Sequence, residues 1–319
     1  MNPDHSYRYL FGPVPSRRLG SSLGVDTVPF KICTYDCVYC QLGKTTHKTC
    51  DRQVFYPVKE ILEELAERLA QKAAPDYITL SGSGEPTLYE DLGEVITGIK
   101  KITDIKVAVL TNGSLFYRDD VRRSVMEADL IIPSLDAGDE ETFLRVNRPH
   151  PEITFDKMLQ GLYSLRREFS GLIWLEVFIV NNITTRKEQL VKMKSIIERI
   201  RPDRIQLNTA IRGAAEDFVE AVSREEMEEI RSFIGHDAEI IVHDSKSYEQ
   251  SCNEVKPEDV LNLLKRRPCT IEDLSAGLHI HRNEAIKHVT ALKEKDMIKM
   301  KRSKETVLYM VRDIYMNQR

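Results

Sequence analysis

The 319-residue sequence predicts an α/β fold built on a parallel sheet, followed by a small C-terminal α+β unit. Short, apolar, often β-branched runs alternate along most of the chain with amphipathic helical segments, the pattern of strands buried on both faces and joined by helical crossovers. The charge balance then changes sign. Residues 255–319 carry 14 Lys+Arg against 9 Asp+Glu, while the whole chain is at −4, so residues 1–254 are distinctly acidic. With 41% hydrophobic and 30% charged residues, there is ample core for about two domains.

In chain order the strand candidates are Leu23–Asp26, Tyr77–Ser81, Lys106–Leu110, Leu130–Leu135, Ile173–Val180, Arg204–Asn208 and Glu239–Val242. The clearest helix lies over 58–70, where Val58, Ile61, Leu62, Leu65 and Leu69 share one face behind Pro57, a residue suited to a helix start. A second lies over 155–166, with Phe155, Met158, Leu159, Leu162 and Leu165 in register. Such alternation implies right-handed crossovers and functional residues gathered at the C-terminal ends of the strands. Periodicity alone fits both an open doubly wound sheet and a barrel.

Beyond a core of 1–245 and a linker of 246–256, the stretch 257–319 reads as Pro257–Arg267, Thr270–Leu278 and Arg282–Lys295 helices, then a hairpin of Lys299–Lys304 and Val307–Val311. Thr270 is an N-cap with Glu272 and Asp273 in the first turn. Three helices and a hairpin resemble a winged helix-turn-helix, in which Arg282, Asn283 and Lys287 of the third helix would face bases or phosphates. A surplus of five positive charges is modest for a committed nucleic-acid binder. Nucleic-acid contact, protein contact and substrate docking therefore stay open for 257–319.

Chemistry concentrates in Cys33-Thr-Tyr-Asp-Cys37-Val-Tyr-Cys40. Three thiolates suit three corners of a [4Fe–4S] cubane and leave one iron without a protein ligand. A closed electron-transfer site or structural zinc site would need a fourth Cys or His close by, and Cys50 is the only nearby candidate. Cys50, Cys252 and Cys269 read as separate thiols with no ligand role, and His5, His47, His150 and His243 as scattered surface or hydrogen-bonded residues. Clustered cysteines in a long chain point to metal in a reducing cytosol rather than to disulfides. The N-terminus has no apolar h-region, and the longest apolar run, Leu172 to Val180, contains Glu176 and falls far short of the roughly 20 residues that span a bilayer. A cytoplasmic protein without membrane contact is expected.

CxxxCxxC with Tyr39 directly before the third cysteine, joined to Ser81-Gly-Ser-Gly-Glu85-Pro86, resembles the radical S-adenosylmethionine (SAM) enzymes over residues 11–245. Phe11-Gly-Pro-Val-Pro-Ser-Arg-Arg-Leu-Gly20 and Ser22-Leu-Gly-Val-Asp26 look like a branch of iron–sulfur oxidoreductases distantly similar to the enzymes of tRNA wyosine synthesis, although this chain lacks their second cysteine triplet. The resemblance implies a partial (β/α)6 TIM-like barrel open on one side, with a [4Fe–4S] cluster on Cys33, Cys37 and Cys40 and SAM on the open iron. It implies that Tyr39 is beside the cofactor and that Ser83, Gly84 and Glu85 receive the SAM amino group. Asn112, Ser134 and Asp136 become candidates for ribose and carboxylate, and backbone at Leu207-Asn208 for adenine. Glu176 departs from the family pattern, since many relatives place a base there; a SAM hydroxyl, a substrate cation or a structural hydrogen bond stay open as its partner, and Arg145, Arg148 or Arg212 are candidates for the missing positive charge. Ser16-Arg17-Arg18 and Arg145-Val-Asn-Arg148 suit substrate phosphate or carboxylate. The implied reaction is reductive cleavage of SAM to methionine and a 5′-deoxyadenosyl radical, which takes hydrogen from RNA, a peptide or a protein, with flavodoxin or ferredoxin as electron donor. The rival reading is an iron–sulfur redox sensor acting through the C-terminal helix-turn-helix.

Overall fold

The computed structural model describes residues 7–16, 18–71, 74–210, 214–235, 237–241, 255, 257–266, 268–278, 280, 282–303 and 306–312. The chain opens with β1 (Leu10–Ser16) and β2 (Gly20–Val25), and the long loop that follows, which carries the three clustered cysteines, contains two short paired segments, β3 (Ile32–Cys33) and β4 (His47–Lys48). Next come α1 (Val58–Gln71), β5 (Tyr77–Leu80), a 3-10 turn at Pro86–Leu88, α2 (Leu92–Ile102), β6 (Lys106–Thr111), α3 (Asp119–Ser124) and β7 (Leu130–Pro133). After these lie α4 (Glu140–Val146), α5 (Phe155–Glu168), β8 (Leu172–Ile179), α6 (Lys187–Ile200), β9 (Arg204–Thr209), α7 (Arg224–Ile234) and β10 (Ala238–Ile240).

Eight strands form one sheet in the order β1-β2-β5-β6-β7-β8-β9-β10. From β2 to β10 all neighbours are parallel, and among the described residues β1 and β10 do not pair, so the sheet is open rather than a closed barrel. The expected strands are present within a residue or two at each end, except that β2 begins three residues before the expected Leu23, and Val242 lies outside the described residues. What the sequence reading missed is β1, which pairs antiparallel with β2 and occupies the sheet edge. Its Gly-Pro-Val-Pro run lacks strand propensity, but prolines are tolerated on edge strands because no neighbour needs their missing N–H.

Alternation along the strands sends one set of side chains to each face. Outward, Leu23, Val25, Ile78, Leu80, Val107, Val109, Ile131, Leu175, Val177 and Leu207 join Ile61, Leu65, Ile96 and Leu165 of the covering helices in the main core. Inward, Ala108, Leu110, Leu130, Ile132 and Trp174 form a smaller apolar floor with Leu19 and Tyr77. Above that floor, toward the C-terminal strand ends, the inner face turns polar.

Near the C-terminus, α8 (Pro257–Arg266), α9 (Ile271–Leu278) and α10 (Arg282–Glu294) precede an antiparallel hairpin, β11 (Ile298–Ser303) and β12 (Thr306–Val311). Val260, Leu264, Leu274, Val289 and Leu292 form their own cluster, against which Val14 of β1 packs. Thr270 and Asp273 cap α9 reciprocally: Asp273 N donates to Thr270 Oγ1 at 3.0 Å and Thr270 N to Asp273 Oδ2 at 3.0 Å. Lys287 is exposed, whereas the Arg282 and Asn283 side chains lie outside what the structure describes, as do most of 246–256 and His5, Arg17, Arg212, His243 and Cys252.

Candidate active site

The cluster loop is strapped to the loop after β5. Lys31 N donates to Ser83 O at 2.7 Å and Glu85 N to Ile32 O at 3.0 Å. That proximity requires the glycines. A Cβ on Gly84 would sit 2.0 Å from Ile32 O, and one on Gly82, whose φ is +142°, would sit 2.8 Å from the Asp26 carboxylate. Asp26 in turn accepts from Ser83 N at 3.1 Å and Ser83 Oγ at 2.6 Å.

Glu85 is buried, and burial raises its carboxyl above the usual carboxylate range against the pull of its hydrogen bonds. Three donors converge on Oε1: Thr87 N at 3.1 Å, Thr87 Oγ1 at 2.6 Å and Thr111 Oγ1 at 2.5 Å. Oε2 accepts one bond, from Asn112 N at 2.8 Å. Carboxylate oxygens offer about two lone-pair sites each, so the open capacity is on Oε2.

All three cysteines of the triplet are half-buried free thiols. Burial pushes the Cys33 thiol up to about 12, with Glu85 and Cys40 adding to the rise, and raises Cys37 through burial, Asp136 and the other two cysteines. Burial and neighbouring negative groups oppose ionisation at Cys33 and Cys37, and a bound metal cation would compensate the charge of their thiolates. Among the described residues no three His, Cys, Asp or Glu side chains are grouped as ligands of a single metal ion. A cubane makes a different demand, because each thiolate takes its own iron. Cys50 belongs to the main core, and the charges bearing on it are Glu152, Asp51, Arg118 and Lys157 rather than the triplet. Cys269 is buried in the C-terminal unit, its backbone paired with Tyr309. His47 is exposed, and the ring of His150 accepts from Glu152 N.

Among the described residues a side-chain nitrogen donor reaches each triplet sulfur, and Cys33 also receives the Tyr35 backbone N–H. Asn112 Nδ2 lies 3.6 Å from Cys33 Sγ, Asn147 Nδ2 lies 3.5 Å from Cys37 Sγ, and Lys31 Nζ lies 3.4 Å from Cys40 Sγ. Asn147 and Lys31 were not singled out in the sequence reading; a lysine two residues before the first cysteine was the available signal.

Tyr39 stacks on Phe178 with ring centroids 3.9 Å apart, and its hydroxyl donates to Asp136. Asp136 also accepts from Asn147 Nδ2 at 2.8 Å and Phe178 N at 3.0 Å. Its carboxyl is raised to about 6 by burial, against these hydrogen bonds and with a contribution from Glu176. Half-buried Ser134 bridges to Glu176 across the β7 and β8 ends. Leu207 points into the main core, and its carbonyl accepts from Ile241 N at 2.9 Å.

The positive charge facing Glu176 comes from Arg18, not from Arg145 or Arg148. Arg18 Nη1 and Nη2 reach Oε2 and Oε1 at 3.0 and 2.5 Å, with the two side chains only 13% and 18% exposed. Asn208 Nδ2 adds a bond to Glu176 Oε1 at 3.0 Å. Arg145 is exposed, and Arg148 pairs at 2.5 Å with Glu216, whose backbone N donates to Val38 O of the cluster loop.

A parallel α/β half-barrel with three cysteines opposite a glycine loop defines a class, and comparison with known proteins agrees. The model of the radical SAM superfamily matches residues 27–193, and the chain belongs to that superfamily of enzymes, whose cofactors are SAM and a [4Fe–4S] cluster. More narrowly, it is 32% identical over 299 residues to a UPF0026 protein of Helicobacter pylori, with 92% of this chain and 94% of that protein covered. It is also 43% identical over 273 residues to a Brachyspira hyodysenteriae protein named GTPase Obg, a match to 85% of this chain but only 40% of that longer protein. Gly43-Lys44-Thr45 follows Val38, not the glycine with which a P-loop begins, so the present chain carries no P-loop at that position. Among solved structures, Streptococcus suis SuiB bound to precursor peptide SuiA shares the fold, with a TM-score of 0.53 at 15% identity over 70% of this chain and 50% of that one. No helix among the described residues is long and apolar enough to cross a membrane.

Proposed function

We propose that this chain is a radical SAM enzyme whose Cys33, Cys37 and Cys40 hold the cluster and whose C-terminal unit guides an RNA, peptide or protein substrate. When bound, the cluster supplies an electron to SAM, which cleaves to methionine and a 5′-deoxyadenosyl radical that takes hydrogen from the substrate. The observation that carries the reading is the strap between the triplet loop and Ser83–Glu85, which sets a cofactor-binding turn against the three sulfurs.

The protein's own part is binding and orientation. The Ser83-Gly84 backbone and the open side of Glu85 Oε2 receive the SAM ammonium. Arg18, steadied by Glu176 and Asn208, offers its remaining guanidinium donors to the SAM carboxylate, the role sought for a base on β8. Asp136 acts through Tyr39 and Asn147, holding the ring against Phe178 and the amide beside Cys37. Ser134 stays assigned to the ribose side, and the strand end at Leu207-Asn208 to adenine. Flavodoxin or ferredoxin fits the need for a one-electron donor. A redox sensor would need neither the glycine turn nor the polar strand ends, and nothing in the site favours it.

Anaerobically reconstituted, dithionite-reduced protein should convert SAM to 5′-deoxyadenosine, read by chromatography, and Cys37→Ala should fall to background. Equal product from the two proteins would overturn the assignment.

A further inference from the structure

We propose that Lys31, Asn112 and Asn147 form a donor shell that raises the reduction potential of the cluster, with the Lys31 ammonium contributing most. The inference rests on the cluster assignment above and concerns residues with no ligand role.

Three separate segments supply a side-chain N–H donor to each sulfur: Lys31 enters from the start of the triplet loop, Asn112 from the end of β6, and Asn147 from the end of α4. Lys31 is the unusual member. It is 3% exposed and has φ +64°, a left-handed conformation uncommon outside glycine. That backbone is held on both sides, since its N–H binds Ser83 O and its carbonyl accepts from Thr46 N at 3.3 Å and His47 N at 3.2 Å. The strap thereby aims the side chain inward, where the ammonium meets the Gly43 carbonyl and Cys40 Sγ. Burying an ammonium is unfavourable unless opposite charge is close. A cluster-bound thiolate at Cys40 supplies that charge.

Asn147 is equally committed. The residue is 2% exposed, Nδ2 serves both Cys37 Sγ and Asp136 Oδ2, and its buried Oδ1 has no hydrogen-bond partner among the described residues. The opposite amide orientation would set Oδ1 against two acceptors, so the observed one is enforced by Asp136. Asn112 is held by Thr34 Oγ1 at 2.7 Å and by Ser114 N, which donates to its Oδ1 at 3.0 Å.

Reduction adds one negative charge to a cluster. Hydrogen bonds to its sulfurs and a nearby fixed cation favour the more negative form, and so raise the potential. Two neutral amides act as dipoles, whereas Lys31 brings a full charge.

The test is an EPR-monitored redox titration of the full-length, anaerobically reconstituted protein, with iron and sulfide content measured first. At the wild-type midpoint, Lys31→Met should lower the ratio of reduced to oxidised cluster about tenfold, a shift of about 59 mV for a one-electron couple. Asn147→Ala and Asn112→Ala should lower it about two- to threefold, and Lys31→Arg should restore most of the wild-type value. If Lys31→Met does not load a cluster, Lys31→Gln, which keeps an N–H donor but removes the charge, makes the same comparison. A loaded Lys31 variant lacking the charge with the wild-type midpoint overturns the inference. Wild-type protein that takes up no iron and sulfide overturns the cluster assignment instead, and the two failures are distinguishable.

Discussion

The two faces of the parallel sheet are made by the same strands and do opposite work. Outward positions are apolar along the whole strand length, from Ile78 and Val107 to Val177 and Leu207, and are sealed by helices. Inward positions are apolar at the floor, around Ala108, Leu130 and Trp174, and above it turn mostly polar at Glu176, Asn208 and Thr79, with Phe178 the aromatic exception under Tyr39. In radius-like fashion, stability is concentrated on one face and charge on the other. The difference teaches that a site can be polar at the strand ends because the opposite face has already buried enough apolar surface to hold the sheet together.

That division can be broken from the outer side with the largest expected effect. Leu65 of α1 is fully buried in the main core, and Leu65→Ala should lose about 2–5 kcal/mol in denaturant unfolding through lost burial and the cavity left behind. Cluster content per folded molecule should stay at the wild-type level; a matching loss of cluster would show the faces to be coupled.

From the inner side, Asp136 sharpens the comparison through pH. Its folded value near 6 lies above its ordinary 3.8, so its protonation stabilises the folded state. The contribution is full below about pH 4 and lost as pH rises through about 6, amounting to at most about 3 kcal/mol. The stability difference between wild type and Asp136→Asn, followed by thermal melts, should therefore move against the wild type between pH 4 and 6 and level off above 7. A flat difference across that range would show that Asp136 does not titrate there.

Glu176→Ala should cost about 1–3 kcal/mol, because it leaves a mostly buried Arg18 without its carboxylate. SAM affinity, measured by equilibrium dialysis, should fall as well, since Arg18 loses its orientation. A double-mutant cycle with Arg18→Ala isolates the pair, and additivity of the two single changes would dissolve it.

Much of this was legible because it is written in local patterns. The triplet Cys33, Cys37 and Cys40, the turn at Ser83–Glu85 and the seven parallel strands all follow from spacing, glycine placement and β-branched runs within a few residues of one another. The edge strand β1 was not legible, since a Gly-Pro-Val-Pro segment becomes a strand only when β2 offers it a ladder and Val14 finds the C-terminal cluster. Nor was the choice of Arg18 over Arg148 as the cation at Glu176.

By itself, then, the sequence determined the cysteine triplet, the glycine turn and the class of sheet, because backbone propensity and residue spacing are properties of neighbouring residues. Tertiary structure alone decided that Arg18 meets Glu176 across 158 positions, that Asn147 serves Cys37 across 110, and that Lys31 turns inward to Cys40. Those pairings depend on which strand ends and loops the parallel sheet brings together, and no local preference encodes a distance in space.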